Sequence, residues 1–283
     1  MMFPADWDRP DVNNDLLCKQ FKKGKYSEKD DMYLLYRYFV PKDAVSSAPD
    51  TFPLAVYLHG ADAFGSDNIS QLSIHDIGTM FSTEGWQREH PCYILAPQCD
   101  KKHHWSRPSM LQLLQDTVLN FVAEHPEIDK DRIYVYGYSA GGLGTLNLIK
   151  RYPGFYAAAV PICGATGGER TEMLLSTPIW LVHAADDGIV RYSYRYKPDE
   201  RDKDREGYYL GSKDIYERLK KMWPFDDGRI NYTEYPEGWM KEKFNVNPHC
   251  SWVTVSDETC GKPVRDWLFT QKRSAQPRKY LFV

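Results

Sequence analysis

Residues 132–152 read RIYVYGYSAGGLGTLNLIKRY, and the change of period inside this stretch decides the fold. Ile133-Tyr134-Val135-Tyr136 is a β-favouring apolar run, whereas Leu143, Leu146 and Ile149 recur at helical spacing. The switch falls on Gly137-Tyr138-Ser139-Ala140-Gly141. A strand that enters a helix through G-x-S-x-G forms a sharp elbow, in which small residues let the two elements approach and the serine hydroxyl stands at the apex. Ser139 is therefore the candidate nucleophile; the competing reading is a Gly/Ser-rich loop before a helix.

Working outward, Leu54-Ala55-Val56-Tyr57-Leu58 and Cys92-Tyr93-Ile94-Leu95-Ala96 are continuous apolar runs, the mark of strands covered on both faces. The first stops at His59-Gly60 and the second at Pro97. Residues 157–162, 178–183 and 229–235 read as further strands after the elbow, and 32–40 as one before it. Residues 41–53 read as a hairpin or long turn. Helices are expected over 109–124, where Leu111, Leu114, Val118, Phe121 and Val122 keep helical spacing, and over 212–222. Such alternation predicts an α/β fold, a mostly parallel central sheet with helices on both faces. Residues 1–30, polar and broken by Pro4 and Pro10, are expected to form an N-terminal arm, and 31–283 a single domain. Residues 192–211 and 238–248 break the rhythm and are expected to be lids or binding loops, against the plainer reading of solvated excursions.

A chain of 283 residues can bury one full core. Its net charge of -3 is spread over mixed signs, so no field favours nucleic acid or an anionic membrane. No apolar run reaches membrane-spanning length and no signal-peptide pattern opens the chain, which predicts a cytoplasmic protein, with a trimmed secreted chain as the alternative. The six cysteines show no C-x-x-C, so reduced thiols are expected. His103-His104 lacks a second ligand pair, and neither a metal nor another cofactor is expected.

Ligands of open parallel sheets bind beyond the carboxyl ends of the strands. A serine hydroxyl there needs an imidazole to take its proton and a carboxylate to fix the imidazole tautomer. With the chain order Ser, acid, His, the acid is Asp187 or its neighbour Asp186, both directly after a predicted strand; Asp187 is favoured, the other serving as a turn cap. His249 is the only histidine after His183, and His183 lies inside the acid-bearing strand as a core or supporting residue. His249 is thus the candidate base. An oxyanion would take one backbone N–H from Ala140 and one from Ala61 in the loop after the first buried strand. Asp62, Trp105, Trp180, Tyr192 and Trp252 are candidate pocket residues, with ordinary core packing as the alternative for the tryptophans.

The pieces LHGADAFGSDN from Leu58, APQC from Ala96 with Trp105 downstream, GYSAGG from Gly137, HAADDGIV from His183, PHCSW from Pro248 and DWLFTQKR from Asp266 stand in a familiar order. In these the chain resembles the α/β-hydrolase superfamily, and within it the single-domain carboxylesterases akin to polyhydroxybutyrate depolymerases, feruloyl esterases and predicted peptidases. The resemblance implies the α/β-hydrolase fold and gives Ser139, Asp187 and His249 the roles of nucleophile, acid and base. Asp62 departs from it, standing where the family's H-G-x-G loop commonly has glycine, and so does the inserted segment before His249.

The resemblance implies a serine esterase of small acyl or aromatic-acid esters, feruloyl or acetyl, free or on an oligosaccharide, whose activity falls in acid as the imidazole protonates. A homo-oligomer is compatible with the sequence. A serine peptidase of the same fold and a non-catalytic binding protein are the rival readings.

Overall fold

The computed structural model describes residues 14–29, 32–42, 51–195 and 208–275. A short helix α1 (Asp15–Cys18) precedes the hairpin β1 (Lys22–Lys29) and β2 (Met32–Phe39). Strand β3 (Phe52–Leu58) follows, then α2 (Ser70–Ser73) and α3 (Glu84–Glu89), β4 (Tyr93–Gln98) and the long helix α4 (Pro108–Glu124). Next come β5 (Ile128–Tyr138), α5 (Ala140–Arg151), β6 (Ala158–Ile162), β7 (Ala165–Gly167) and β8 (Ile179–Ala184). The chain continues with β9 (Tyr209–Gly211), α6 (Ser212–Met222), β10 (Ile230–Tyr235), α7 (Trp239–Phe244), α8 (Trp252–Ser256) and α9 (Lys262–Thr270).

Eight strands form one sheet in the order β1-β2-β4-β3-β5-β6-β8-β10. The first two pairings are antiparallel and the remaining five parallel. β7 and β9 pair separately. The apolar runs cover both faces because a strand alternates its side chains. Leu54, Val56 and Leu58 of β3 enter one core with α4, α5 and α6, while Ala55 and Tyr57 enter a second core with Val253 of α8 and Val264 and Leu268 of α9. This is the α/β-hydrolase arrangement, and it brings the ends of β3, β5 and β8 to one rim.

Three sequence expectations change. Lys22–Lys29, read as part of a surface arm, is the edge strand of the sheet, antiparallel to β2 from Lys22↔Tyr38 to Lys29↔Met32. β4 does not stop at Pro97 but runs to Gln98, since a missing N–H removes one ladder bond without ending the pairing. β3 likewise begins at Phe52, inside the stretch read as a turn. Of the expected 192–211 loop, only 192–195 and 208–211 lie among the described residues. The 238–248 segment carries α7, with Met240 and Val246 buried in the second core. Its Gly238 N–H donates to Asp186 at 2.8 Å, so the segment is tied to the β8 end on its way to His249.

Candidate active site

The elbow is built from backbone contact. β5 ends at Tyr138 and α5 begins at Ala140, which leaves Ser139 between them at φ 53° and ψ -117°, a region costly for any residue with a Cβ. A Cβ on Gly141 would overlap the Leu58 carbonyl, and one on Gly137 would press on the same oxygen. Glycine at both positions is thus what lets the start of α5 sit against the end of β3.

Ser139 Oγ lies 2.9 Å from His249 Nε2, and His249 Nδ1 lies 2.7 Å from Asp187 Oδ2. A carboxylate only accepts, so Nδ1 carries the proton and Nε2 presents its lone pair to the serine hydroxyl. His249 and Asp187 side chains are fully buried, and Ser139 retains a small exposed surface. Asn247 Oδ1 accepts the His249 N–H at 2.9 Å and fixes the turn from which the imidazole projects.

Four donors converge on Asp187: the Ile189 and Val190 N–H groups on Oδ1 at 2.8 and 3.0 Å, and His249 and His183 on Oδ2. Burial opposes its charge, but the His249 charge and the bonds from His183 and His249 outweigh burial and hold the carboxyl well below the usual carboxylate range. Asp186, the alternative acid, points away and receives the Gly238 N–H instead. His183 donates from Nε2 to Asp187 and to the Val190 carbonyl, while its Nδ1 accepts the Ser212 hydroxyl at 2.8 Å.

Ala61 opens a one-turn 3-10 helix and Ala140 opens α5, so each N–H is a first-turn donor without an intrahelical acceptor. His59 holds the Ala61 turn: its Nδ1–H donates to the Gly60 carbonyl at 2.7 Å and its Nε2 accepts the Cys99 N–H at 3.0 Å. Burial lowers His59 to about 4, so the ring is neutral. Trp105 Nε1 donates to the His59 carbonyl at 3.0 Å.

Sequence reasoning missed two contacts that folding alone creates. Cys163, at φ 40°, puts its sulfur 3.3 Å from the Ser139 N–H. Asp62 turns its carboxylate inward, to Tyr138 and His75. Of the expected pocket residues, the three tryptophans are packed among described neighbours. Trp105 and Trp252 are fully buried, and Trp180 sits near the amino end of β8, bonded to Thr233 and packed on Trp267. The Asp62 side chain is also buried, though its backbone is partly exposed. Tyr192 borders a cavity of about 210 Å³ beside Asp186, Asp187 and Gly188.

Cys163, Asp187 and His249 bring three potential metal donors within 4.8 Å. Both His249 nitrogens are already engaged, and burial, then the Asp187 charge, raises the Cys163 thiol well above its ordinary range and keeps it protonated. The cluster therefore suits proton transfer and not metal ligation. Among the described residues no helix is long and apolar enough to cross a membrane.

No family model matches the chain. Poly(3-hydroxyalkanoate) depolymerase C of Paucimonas lemoignei is 29% identical over 139 residues, 44% of this chain and 30% of its own length. A thermostable esterase of known structure superposes with a TM-score of 0.75 at 31% identity, over 91% of this chain and 64% of its own. An acylaminoacyl peptidase superposes with a TM-score of 0.57 at 14% identity, over 84% of this chain and 41% of its own. The chain thus spans less than two thirds of the length of the depolymerase and the esterase.

Proposed function

We propose that the chain, which has the α/β-hydrolase arrangement and is similar to a thermostable esterase, is a serine carboxylesterase that hydrolyses small acyl esters through an acyl-enzyme. The carrying observation is the buried relay in which Ser139, His249 and Asp187 are joined at 2.9 and 2.7 Å. Ser139 Oγ attacks the ester carbonyl as its proton moves to His249 Nε2. The imidazolium so formed is stabilised by the ionised Asp187, and the oxyanion accepts the Ala61 and Ala140 N–H groups. His249 then protonates the leaving alcohol and activates the water that releases the acid.

Aromatic-acid esters are the finer part of the proposal. Phe64, just after the Ala61 turn, and His104, from the segment after β4, are partly buried and meet edge-on at 5.4 Å, an aromatic corner suited to a phenolic acyl group.

The test compares p-nitrophenyl acetate, methyl ferulate, acetylated and feruloylated xylo-oligosaccharides and a short peptide anilide. Esters are expected to turn over, with methyl ferulate at or above acetate in kcat/KM. Hydrolysis of the anilide faster than every ester would make the protein a peptidase, and turnover of none would make it a binding protein.

A further inference from the structure

Asp62 follows Ala61 directly, and Tyr138 precedes Ser139 directly, so these two side chains flank the two backbone donors of the proposed oxyanion site. They are bonded to each other: Asp62 Oδ1 accepts the Tyr138 hydroxyl at 2.7 Å. Asp62 Oδ2 accepts His75 Nε2–H at 2.7 Å, and the two side chains of that pair are 1% and 2% exposed. Burial works against the Asp62 charge, but the bond and charge of His75 and the bond from Tyr138 hold its carboxyl below the ordinary range.

The brace is closed from above by Trp252. Its ring packs on Tyr138 at 4.4 Å and on His75 at 4.9 Å, and it meets the His249 ring edge-on at 5.7 Å. Gly60 makes room for it, because a Cβ there would strike the Tyr138 ring and come 2.9 Å from Asp62 Oδ1. The loop after β3, the elbow and the segment carrying His249 therefore meet at one buried carboxylate.

We propose that Asp62, with His75 and Tyr138, is a positioning unit that fixes the spacing of the Ala61 and Ala140 N–H groups for the tetrahedral intermediate. This rests on the nucleophile reading of Ser139. The carboxylate ties the loop after β3 to the elbow and to His75 by two charge-assisted bonds. Its effect falls on the transition state, in which the oxyanion forms, and not on ground-state ester binding.

The experiment measures kcat, KM and the Ki of phenylboronic acid, which forms a tetrahedral serine adduct, for the wild type, Asp62→Ala, Asp62→Asn, Tyr138→Phe and the Asp62→Ala/Tyr138→Phe double variant. Fluorophosphonate labelling of Ser139 and thermal melting are recorded for each. Displaced donors are expected to lower kcat roughly 10- to 100-fold and raise Ki by the same factor. KM should stay within about twofold, Asp62→Asn should fall between Asp62→Ala and the wild type, and the double variant should be no worse than Asp62→Ala. Tyr138→Phe preserves the ring packing and carries the test if Asp62→Ala does not fold. Unchanged kcat and Ki in labelled, folded Tyr138→Phe would overturn the proposal, as would a rise in KM alone, which would make Asp62 a substrate contact. A wild type that takes no label would instead overturn the nucleophile reading, and the brace with it.

Discussion

His183 and Asp187 are hydrogen-bonded at 3.1 Å on the same carboxylate oxygen that receives His249 at 2.7 Å. The acid thus faces two imidazoles, of which only His249 reaches Ser139. His183 holds Asp187 from behind and is itself held by Ser212 and the Val190 carbonyl. Replacing His183 by Phe removes one donor from a buried carboxylate and is expected to cost about 2 kcal/mol of stability. It should lower kcat about tenfold, far less than loss of His249. Equal losses in His183→Phe and His249→Phe would show that the two rings share the base's role.

The neighbouring carboxylates separate in the same way. Asp187→Asn leaves the geometry but favours the wrong tautomer of His249, and kcat is expected to fall about 10⁴-fold. Asp186→Asn keeps an acceptor for the Gly238 N–H and should stay within about twofold of the wild type. Steady-state kinetics on p-nitrophenyl acetate would contradict the assignment if Asp186→Asn were the damaged one.

Backbone strain at the nucleophile makes a stability prediction with an unusual sign. At ordinary positions glycine is less stable than alanine, but the Ser139 backbone at φ 53°, ψ -117° penalises any Cβ. Ser139→Gly is expected to unfold at higher denaturant than Ser139→Ala, by about 1 kcal/mol. Alanine as the more stable of the two would mean that the elbow is not strained.

His59 gives a pH dependence. Burial lowers it to about 4 from an ordinary value near 6.5, so between those values the unfolded chain takes up a proton that the folded chain refuses. Its contribution is fully present above about pH 6.5 and is lost as pH falls toward 4, amounting to about 3 kcal/mol. Asp187 adds no slope above about pH 5, where its carboxyl is ionised in both states; below that its depressed carboxyl adds an acid loss common to the wild type and the His59 variant. Denaturant unfolding of the wild type and His59→Gln from pH 7.5 to 4.5 should show a steeper acid loss in the wild type; parallel curves would contradict the buried neutral ring.

Much of the site was legible because its chemistry is tied to local pattern. The elbow announces itself by a change of period around Ser139, and the acid and base follow from chain order and strand ends. β1 was not legible: KKGKYSEK has no alternating apolar face, since an edge strand is held by main-chain bonds and kept from aggregating by its lysines. The position of Trp180 near the amino end of β8 was not legible, because aromatic type says nothing about which end of a strand a residue occupies. The Asp62–Tyr138 bond joins residues 76 apart in sequence, and no local pattern encodes a loop folding back on an elbow.

The central claim is that Ser139 is activated by His249, and fluorophosphonate modification followed by peptide mass mapping tests it most directly. The predicted result is one adduct on the peptide containing Ser139 in the wild type, none in Ser139→Ala, and labelling slowed by orders of magnitude in His249→Ala. An unlabelled folded wild type, or equal labelling of Ser139→Ala, would contradict it.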